Sequence, residues 1–309
     1  MSGKAEALKF TLSPRPPFDF DLSCRIFDGG EGLVQTYSGG IFQRLLKVDR
    51  RLLLVSIRSL GTVSRPQIAV EVLPGRLSAA QKKKIESSIA SIFNFDLDLN
   101  RFYREIRGDP VMTKVTRNLH GLRSPTTTGP YEALVSSIIE QQISLKAAWS
   151  MQRRMIRAYG DSVVIRGRTY YAFPIPEKLA ALSVDDLEKC GLSGRKSEYV
   201  IGVSRMILAG ELDLEGMMRL PSTEIIERMM KIRGIGRWTA EMTMIRGMHK
   251  PDALPADDLG LRRLISHYYN EDRMLSGDEV RSLAARWGKW KGIAAYYLIV
   301  ASISGLEVA

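Results

Sequence analysis

Residues Lys231 to Leu264 constrain the fold of this chain more than any other stretch. They begin K-I-R-G-I-G-R-W-T-A-E-M and end L-P-A-D-D-L-G-L-R-R-L. The first half reads as two helices pinched around a Gly234-Ile235-Gly236 turn, with Ser222 as cap of the first helix and an Arg-Trp pair opening the second. Glycines allow a tight turn and a close backbone approach. The N–H groups at the start of the second helix can then hold an anion. Asp257 and Asp258 stand at the expected start of a further helix. One of them suits the role of N-cap, where the helix dipole favours a carboxylate; Asp257 is taken for that role. Asp258 lies 22 residues after Gly236, across one helix and one loop. That distance lets the chain fold back and set a carboxylate beside whatever the turn binds. Phosphate-bearing ligands, and DNA first among them, fit the pair.

Bulk properties agree. A chain of 309 residues can hold two or three domains and a sizeable core. Its net charge of +11 favours a polyanionic partner, because neutralised phosphates release condensed counterions. Cys24 and Cys190 are the only cysteines, too few for a disulfide framework, a four-cysteine zinc site or a four-cysteine iron–sulfur cluster. The chain starts without a signal-peptide pattern. Its longest apolar stretch, Ile293 to Ile303, is too short to span a bilayer. An intracellular protein that does not enter membranes is the expectation: cytoplasmic and nucleoid-associated, or nuclear.

The texture changes along the chain, and an α+β fold is expected. In residues 1–112 short apolar runs alternate with turn signals. Phe10 to Leu12 precedes a Pro14-Arg15-Pro16-Pro17 break, and Gly29-Gly30 and Gly39-Gly40 punctuate the next runs. Arg51 to Ile57 and Gln67 to Val72 predict strands. Leu77 to Phe93 predicts a helix with Ser78 as cap and Ile85, Ile89 and Ile92 on one face. These signals together predict an N-terminal antiparallel sheet domain with one or two helices.

Residues 113–309 are expected to be helical. Gly129-Pro130 opens a helix carrying Leu134, Ile138 and Ile139, and a second runs from Leu145 to Tyr159. Ser183-x-x-Asp186 and Ser276-x-x-Glu279 have the form of capping boxes. Further helices are expected over Lys196–Leu208, within 222–248 on either side of the glycine turn, and over Lys289–Ile303. Val163 to Phe173 reads as an inserted small hairpin.

With these residues in view the chain resembles the helix–hairpin–helix DNA glycosylase superfamily, and within it the alkylbase branch of the 3-methyladenine DNA glycosylase II type. The hairpin and the D-D-L-G-L-R-R run carry the resemblance. Gly121-Leu122-Arg123, Tyr131 to Ser144, and the Arg286-Trp287-Gly288-Lys289-Trp290-Lys291 pattern extend it. It covers about residues 95–305 closely and the N-terminal sheet loosely. It implies a two-lobed, all-α core that flips a damaged base out of duplex DNA and hydrolyses its N-glycosidic bond.

The resemblance also assigns roles. Asp258 would stabilise the oxocarbenium-like sugar and serve the attacking water. Gln142, in E-Q-Q-I-S, would fill the hole left by the flipped base. Arg233, Gly234, Ile235, Gly236, Arg237 and Thr239 would contact the DNA backbone. Trp238 stands where lyase relatives carry a Schiff-base lysine, so a monofunctional enzyme is implied, with the indole free to stack on an electron-poor base. Met242 and Ile299 occupy positions where the alkylbase branch has aromatics. Tyr296 and Tyr297 lie nearby as substitutes, so the base pocket is expected from Trp238, Met242, Tyr296 and Ile299. The expectation includes no cofactor and no metal held by side chains, a monovalent cation on the hairpin carbonyls near Ile232 and Ile235 as the one candidate ion, and action as a monomer. Preference among alkylated, deaminated and oxidised purines stays open.

Two other classes compete. A non-catalytic helix–hairpin–helix clamp needs neither a carboxylate at this spacing nor a Gln142 wedge. An 8-oxoguanine glycosylase/lyase needs a hairpin lysine, where Trp238 stands.

Overall fold

The computed structural model describes residues 6–27, 33–269 and 273–306; Gly29-Gly30 lies outside them. Strands β1 (Leu8–Leu12), β2 (Gln35–Ser38), β3 (Ile41–Val48), β4 (Arg51–Ser59) and β5 (Ile68–Leu73) form one antiparallel sheet in the order β1-β5-β4-β3-β2. Gly39 and Gly40 make the β2–β3 turn. The helix Ala79–Ile92 packs beside the sheet. Ser78 and Gln81 form a reciprocal capping box at its start, and Ile85, Ile89 and Ile92 are fully buried with Phe42 and Phe93. Each such side chain contributes about 1.5–3 kcal/mol by leaving water. The inserted segment is a hairpin of β6 (Ser162–Ile165) and β7 (Arg168–Tyr171). Its Val163, Ile165 and Tyr170 pack against the sheet residues Leu45, Leu54 and Leu73.

The helices divide into two lobes by their apolar clusters. One cluster draws on residues from Leu134 to Ala253. The other joins Leu97–Leu122 to Leu254–Ala301. A division at residue 112 therefore falls inside a helix, Pro110–Asn118, whose Met112 and Val115 are buried with the C-terminal lobe. The sheet's own cluster ends at Phe93, with Phe95 packed on it. The physical reason is pairing of polar hydrogens. Asp109 caps Pro110–Asn118 and also accepts from the Trp287 indole and the Tyr269 hydroxyl, both at 3.0 Å. Glu105 accepts from the Trp290 indole at 2.6 Å. The two tryptophans of the R-W-x-x-W pattern are thus fasteners of the C-terminal lobe.

Arg123 joins the sheet to the helices. Its guanidinium is fully buried and donates only to carbonyls, of Asn94, Leu97 at 3.1 Å, Arg15 at 2.7 Å and Pro17 at 3.4 Å. Desolvation pulls it down to about 10.

Two helix boundaries differ from expectation. The last helix is Lys291–Ile303, because Gly288 adopts φ +53 and residues Ala285–Trp290 form a tighter turn. The first hairpin helix, Ser222–Met230, has Pro221 in the cap position. The Ser222 hydroxyl instead bonds Asp252 at 2.8 Å. Among the described residues no helix is long and apolar enough to cross a membrane.

Replacing Asp109 by Ala strands the Trp287 and Tyr269 donors and uncaps a helix, so stability should fall by about 2–4 kcal/mol. Chemical denaturation measures this directly; a loss below about 0.5 kcal/mol would contradict the fastener role.

Candidate nucleic-acid interface and active site

The hairpin joins Ser222–Met230 to Arg237–Gly247. Gly234 sits at φ +87, in the left-handed region. A Cβ there would stand 2.4 Å from ring atoms of Tyr199, so two independent constraints require glycine. Ile235 is buried and anchors the turn in the N-terminal lobe's cluster. Gly236 occupies the N-cap of Arg237–Gly247 without a side-chain cap, and a Cβ on it would meet nothing within 4 Å. The opening N–H groups of that helix therefore face an uncrowded approach suited to a phosphate. The Ile232 carbonyl accepts the Ile235 N–H at 3.1 Å and keeps a lone pair that a cation could meet. No group of three His, Cys, Asp or Glu side chains able to hold a metal occurs among the described residues.

Arg233 is exposed, paired with Glu198 at 3.0 Å and lying over the Tyr199 ring. Arg237 donates to buried Glu241 at 3.0 Å. The Thr239 side chain turns inward. It is buried, and its hydroxyl accepts from Gln141 at 2.9 Å. Three residues into a helix whose apolar side faces the core, its side chain supports the turn from beneath, which leaves its backbone N–H as the group that could meet DNA.

The two aspartates separate clearly. Asp258 Oδ1 accepts the Leu261 N–H at 2.9 Å, so Asp258 and not Asp257 caps the helix Leu259–Tyr269. Its Oδ2 accepts the Trp238 indole N–H at 3.1 Å, which turns the carboxylate toward the hairpin. Asp257 is held in a two-armed pair by Arg281. Arg281 holds the Asp257 carboxyl below the usual range. A Cβ on Gly277 would lie 2.0 Å from Asp257 Oδ1, so a glycine makes room for that pairing. Arg281 also lies 3.8 Å from Glu241, whose carboxyl burial pushes up while Arg237 and Arg281 oppose.

The four pocket candidates fall in two pairs. Trp238 and Met242, one turn apart, are half-buried on the hairpin helix. Tyr296 and Ile299, also half-buried, lie on Lys291–Ile303 and pack into the C-terminal cluster. Desolvation holds the Tyr296 phenol well above its ordinary range, with the Cys24 thiol adding to it. Tyr297 is no substitute. It is fully buried, donating to the Leu122 carbonyl at 2.7 Å and bonding the Tyr103 hydroxyl at 2.8 Å. Two hollows of about 420 and 560 Å³ lie on the sheet (Lys9, Ser56, Arg58, Glu71) and at Asp213–Arg219, and neither contains a site residue.

Gln142 is exposed with φ +55, an uncommon conformation for a residue with a side chain. The sequence did not single out its neighbour Gln141, whose amide reaches the hairpin. Nor did it single out Arg281.

A family model, the HhH-GPD superfamily base excision DNA repair protein, matches residues 135–289. A DNA-3-methyladenine glycosylase of Bacillus subtilis is 34% identical over 256 residues, covering 81% of this chain and 84% of that protein. The structure of a 3-methyladenine DNA-glycosylase from Archaeoglobus fulgidus superposes with a TM-score of 0.84 at 25% identity, covering 95% of this chain and 98% of the other. A 3-methyladenine DNA glycosylase of Schizosaccharomyces pombe, solved in complex with abasic DNA, superposes at 0.57 with 26% identity over 68% of this chain and 98% of its own. The chain belongs to the HhH-GPD superfamily of base excision DNA repair proteins. It is a DNA N-glycosylase, and its partner is DNA.

Gly234→Ala should lower affinity for duplex DNA at least tenfold, about 1.4 kcal/mol, since left-handed alanine costs about 1–2 kcal/mol before the Tyr199 collision is counted. Anisotropy titration of a labelled duplex checks it; unchanged affinity would remove the hairpin from the interface.

Proposed function

We propose that this glycosylase works as a monomer on duplex DNA holding one damaged base, removes alkylated purines, and does so without a covalent enzyme intermediate. The observation that carries the reading is the Trp238–Asp258 pair. One side chain offers a ring face for a base, and the adjoining one offers a carboxylate oriented by two donors.

A bound phosphate at the hairpin draws the strand across the first turn of Arg237–Gly247. Gln142 enters the stack from the exposed end of its loop and takes the place of the extruded base. That base lies against Trp238, with Met242 one turn further along and Tyr296 and Ile299 contributed by the helix Lys291–Ile303. The deoxyribose comes over Asp258. The C1′–N bond breaks with its electron pair passing to the base, and the carboxylate stabilises the sugar cation. Water then adds at C1′ and loses its proton toward Asp258, leaving an abasic site. An alkylated purine that already carries positive charge departs as a neutral base, so no general acid is required. This suits a site whose named side chains supply a carboxylate and an indole. Asp257, fixed by Arg281, takes no part. The enzyme belongs where DNA lies, in the nucleoid or the nucleus.

Duplexes each holding one 3-methyladenine, 7-methylguanine, hypoxanthine, 8-oxoguanine or uracil test the substrate class. The alkylated purines should yield strand breaks only after alkali, and borohydride should trap no adduct with any of them. A strong trapped adduct would establish a lyase. Excision confined to 8-oxoguanine would overturn the substrate class.

A further inference from the structure

We propose that Gln141 is a positioning residue that couples the hairpin's grip on phosphate to the presentation of Gln142; this rests on Gln142 acting as the wedge. Helix Pro130–Glu140 ends at Gln141, and Ser144 caps the next helix by accepting from the Ala147 N–H at 3.3 Å. Gln141 and Gln142 therefore lie in a short arc between two helices, and their side chains meet different surroundings. The Gln141 amide donates to the Gly234 carbonyl and to the Thr239 hydroxyl, each at 2.9 Å. Both acceptors flank the N-terminus where the phosphate docks. Gly234 is in the turn, and Thr239 is in the first turn of the helix after it.

The two preceding residues are also tied across the fold. The Ile139 carbonyl accepts from Lys196 Nζ at 2.7 Å, and Glu140 accepts from Arg246 of the hairpin helix at 2.5 Å. Three successive residues are thus fastened to other elements, and the next, Gln142, stands exposed at φ +55. A left-handed residue persists only where its surroundings over-determine it. Here the ties to 139–141 do so, and only the one on Gln141 reaches the phosphate-binding turn itself. A phosphate seated on the hairpin fixes Gly234 and Thr239 from outside, while Gln141 holds them from inside. The wedge is thereby set in register with the gripped strand before the base leaves the stack.

The test is Gln141→Leu, which keeps the bulk and removes both donors, with Gln141→Asn as a shorter amide should Leu lower the melting midpoint by more than about 5 °C. Single-turnover excision is measured on a duplex with 7-methylguanine opposite cytosine and on one with it opposite an abasic-site analogue, where flipping is already eased. Gln142→Ala runs in parallel. On the paired duplex, Gln141→Leu should slow excision about ten- to a hundredfold, with affinity for undamaged duplex within about threefold. Opposite the abasic analogue the deficit should shrink below about threefold. An equal deficit on both duplexes would mean a defect in chemistry or folding and would overturn the proposal. So would unchanged excision by Gln141→Leu while Gln142→Ala is slowed. If neither variant is slowed on the paired duplex, the wedge reading itself fails.

Discussion

The Trp238 indole N–H meets Asp258 Oδ2 at 3.1 Å, and that one hydrogen bond spans the seam between the two helical lobes. Trp238 comes directly after the hairpin whose Ile235 is rooted in the cluster of residues Leu134–Ala253. Asp258 opens the helix whose Leu261 is rooted in the cluster of Leu97–Leu122 and Leu254–Ala301. The lobes change over at residues 253–254, four positions before the carboxylate. The hairpin and the carboxylate thus belong to separate cores, and in the proposed mechanism the alignment of phosphate grip with sugar chemistry depends on contacts across the seam. Arg281 adds one, reaching Asp257 in its own lobe and Glu241 on the hairpin helix. The Leu261 N–H on one oxygen and the Trp238 indole N–H on the other leave the Asp258 carboxylate little rotational freedom, the preorganisation an electrostatic role requires.

The positive charge of the chain acts on DNA more narrowly than its total suggests. Arg123 commits its donors to four carbonyls deep in the protein. Arg44 is buried against Glu132 and Gln35, where it ties the sheet to the helix Pro130–Glu140. Arg246 holds the buried Glu140, and Arg281 pairs with the half-exposed Asp257 beside the buried Glu241. These arginines are fasteners. Among the exposed cations, Lys231, Arg233 and Arg237 stand around the turn, with Arg233 paired to Glu198 and Arg237 to Glu241. Salt dependence of binding should therefore reflect a few contacts rather than the whole surplus.

Local signals in the sequence carried much of the fold. Ser78, Ser183 and Ser276 form reciprocal capping boxes with the residues three further on. The helix Leu145–Tyr159 begins and ends where its periodicity says it should. The β6–β7 hairpin occupies the expected insertion. What stayed hidden depends on side-chain direction across the fold. Two adjacent aspartates look alike in sequence, and only Arg281, 24 residues after Asp257, shows which is engaged. Two adjacent glutamines look alike, and only the backbone turn at Gln142 separates an inward residue from an outward one. Residue 112 lies within a helix that packs with the C-terminal lobe, where Asp109 and Glu105 bind tryptophans nearly two hundred residues away, which no local pattern reveals. Tyr296 and Tyr297 are neighbours on a helix, about 100° apart around its axis, so one lines a half-buried face and the other holds a carbonyl in the core.

The division of labour between the two aspartates is the central claim, and comparing Asp258→Asn with Asp257→Asn by single-turnover excision tests it most directly. Asparagine caps a helix about as well as aspartate, so the first variant keeps the fold and loses the charge. Asp258→Asn should slow excision at least about a hundredfold while damaged duplex still binds, and Asp257→Asn should stay within about tenfold of the unmodified enzyme. Equal losses, or a larger loss from Asp257→Asn, would contradict the account.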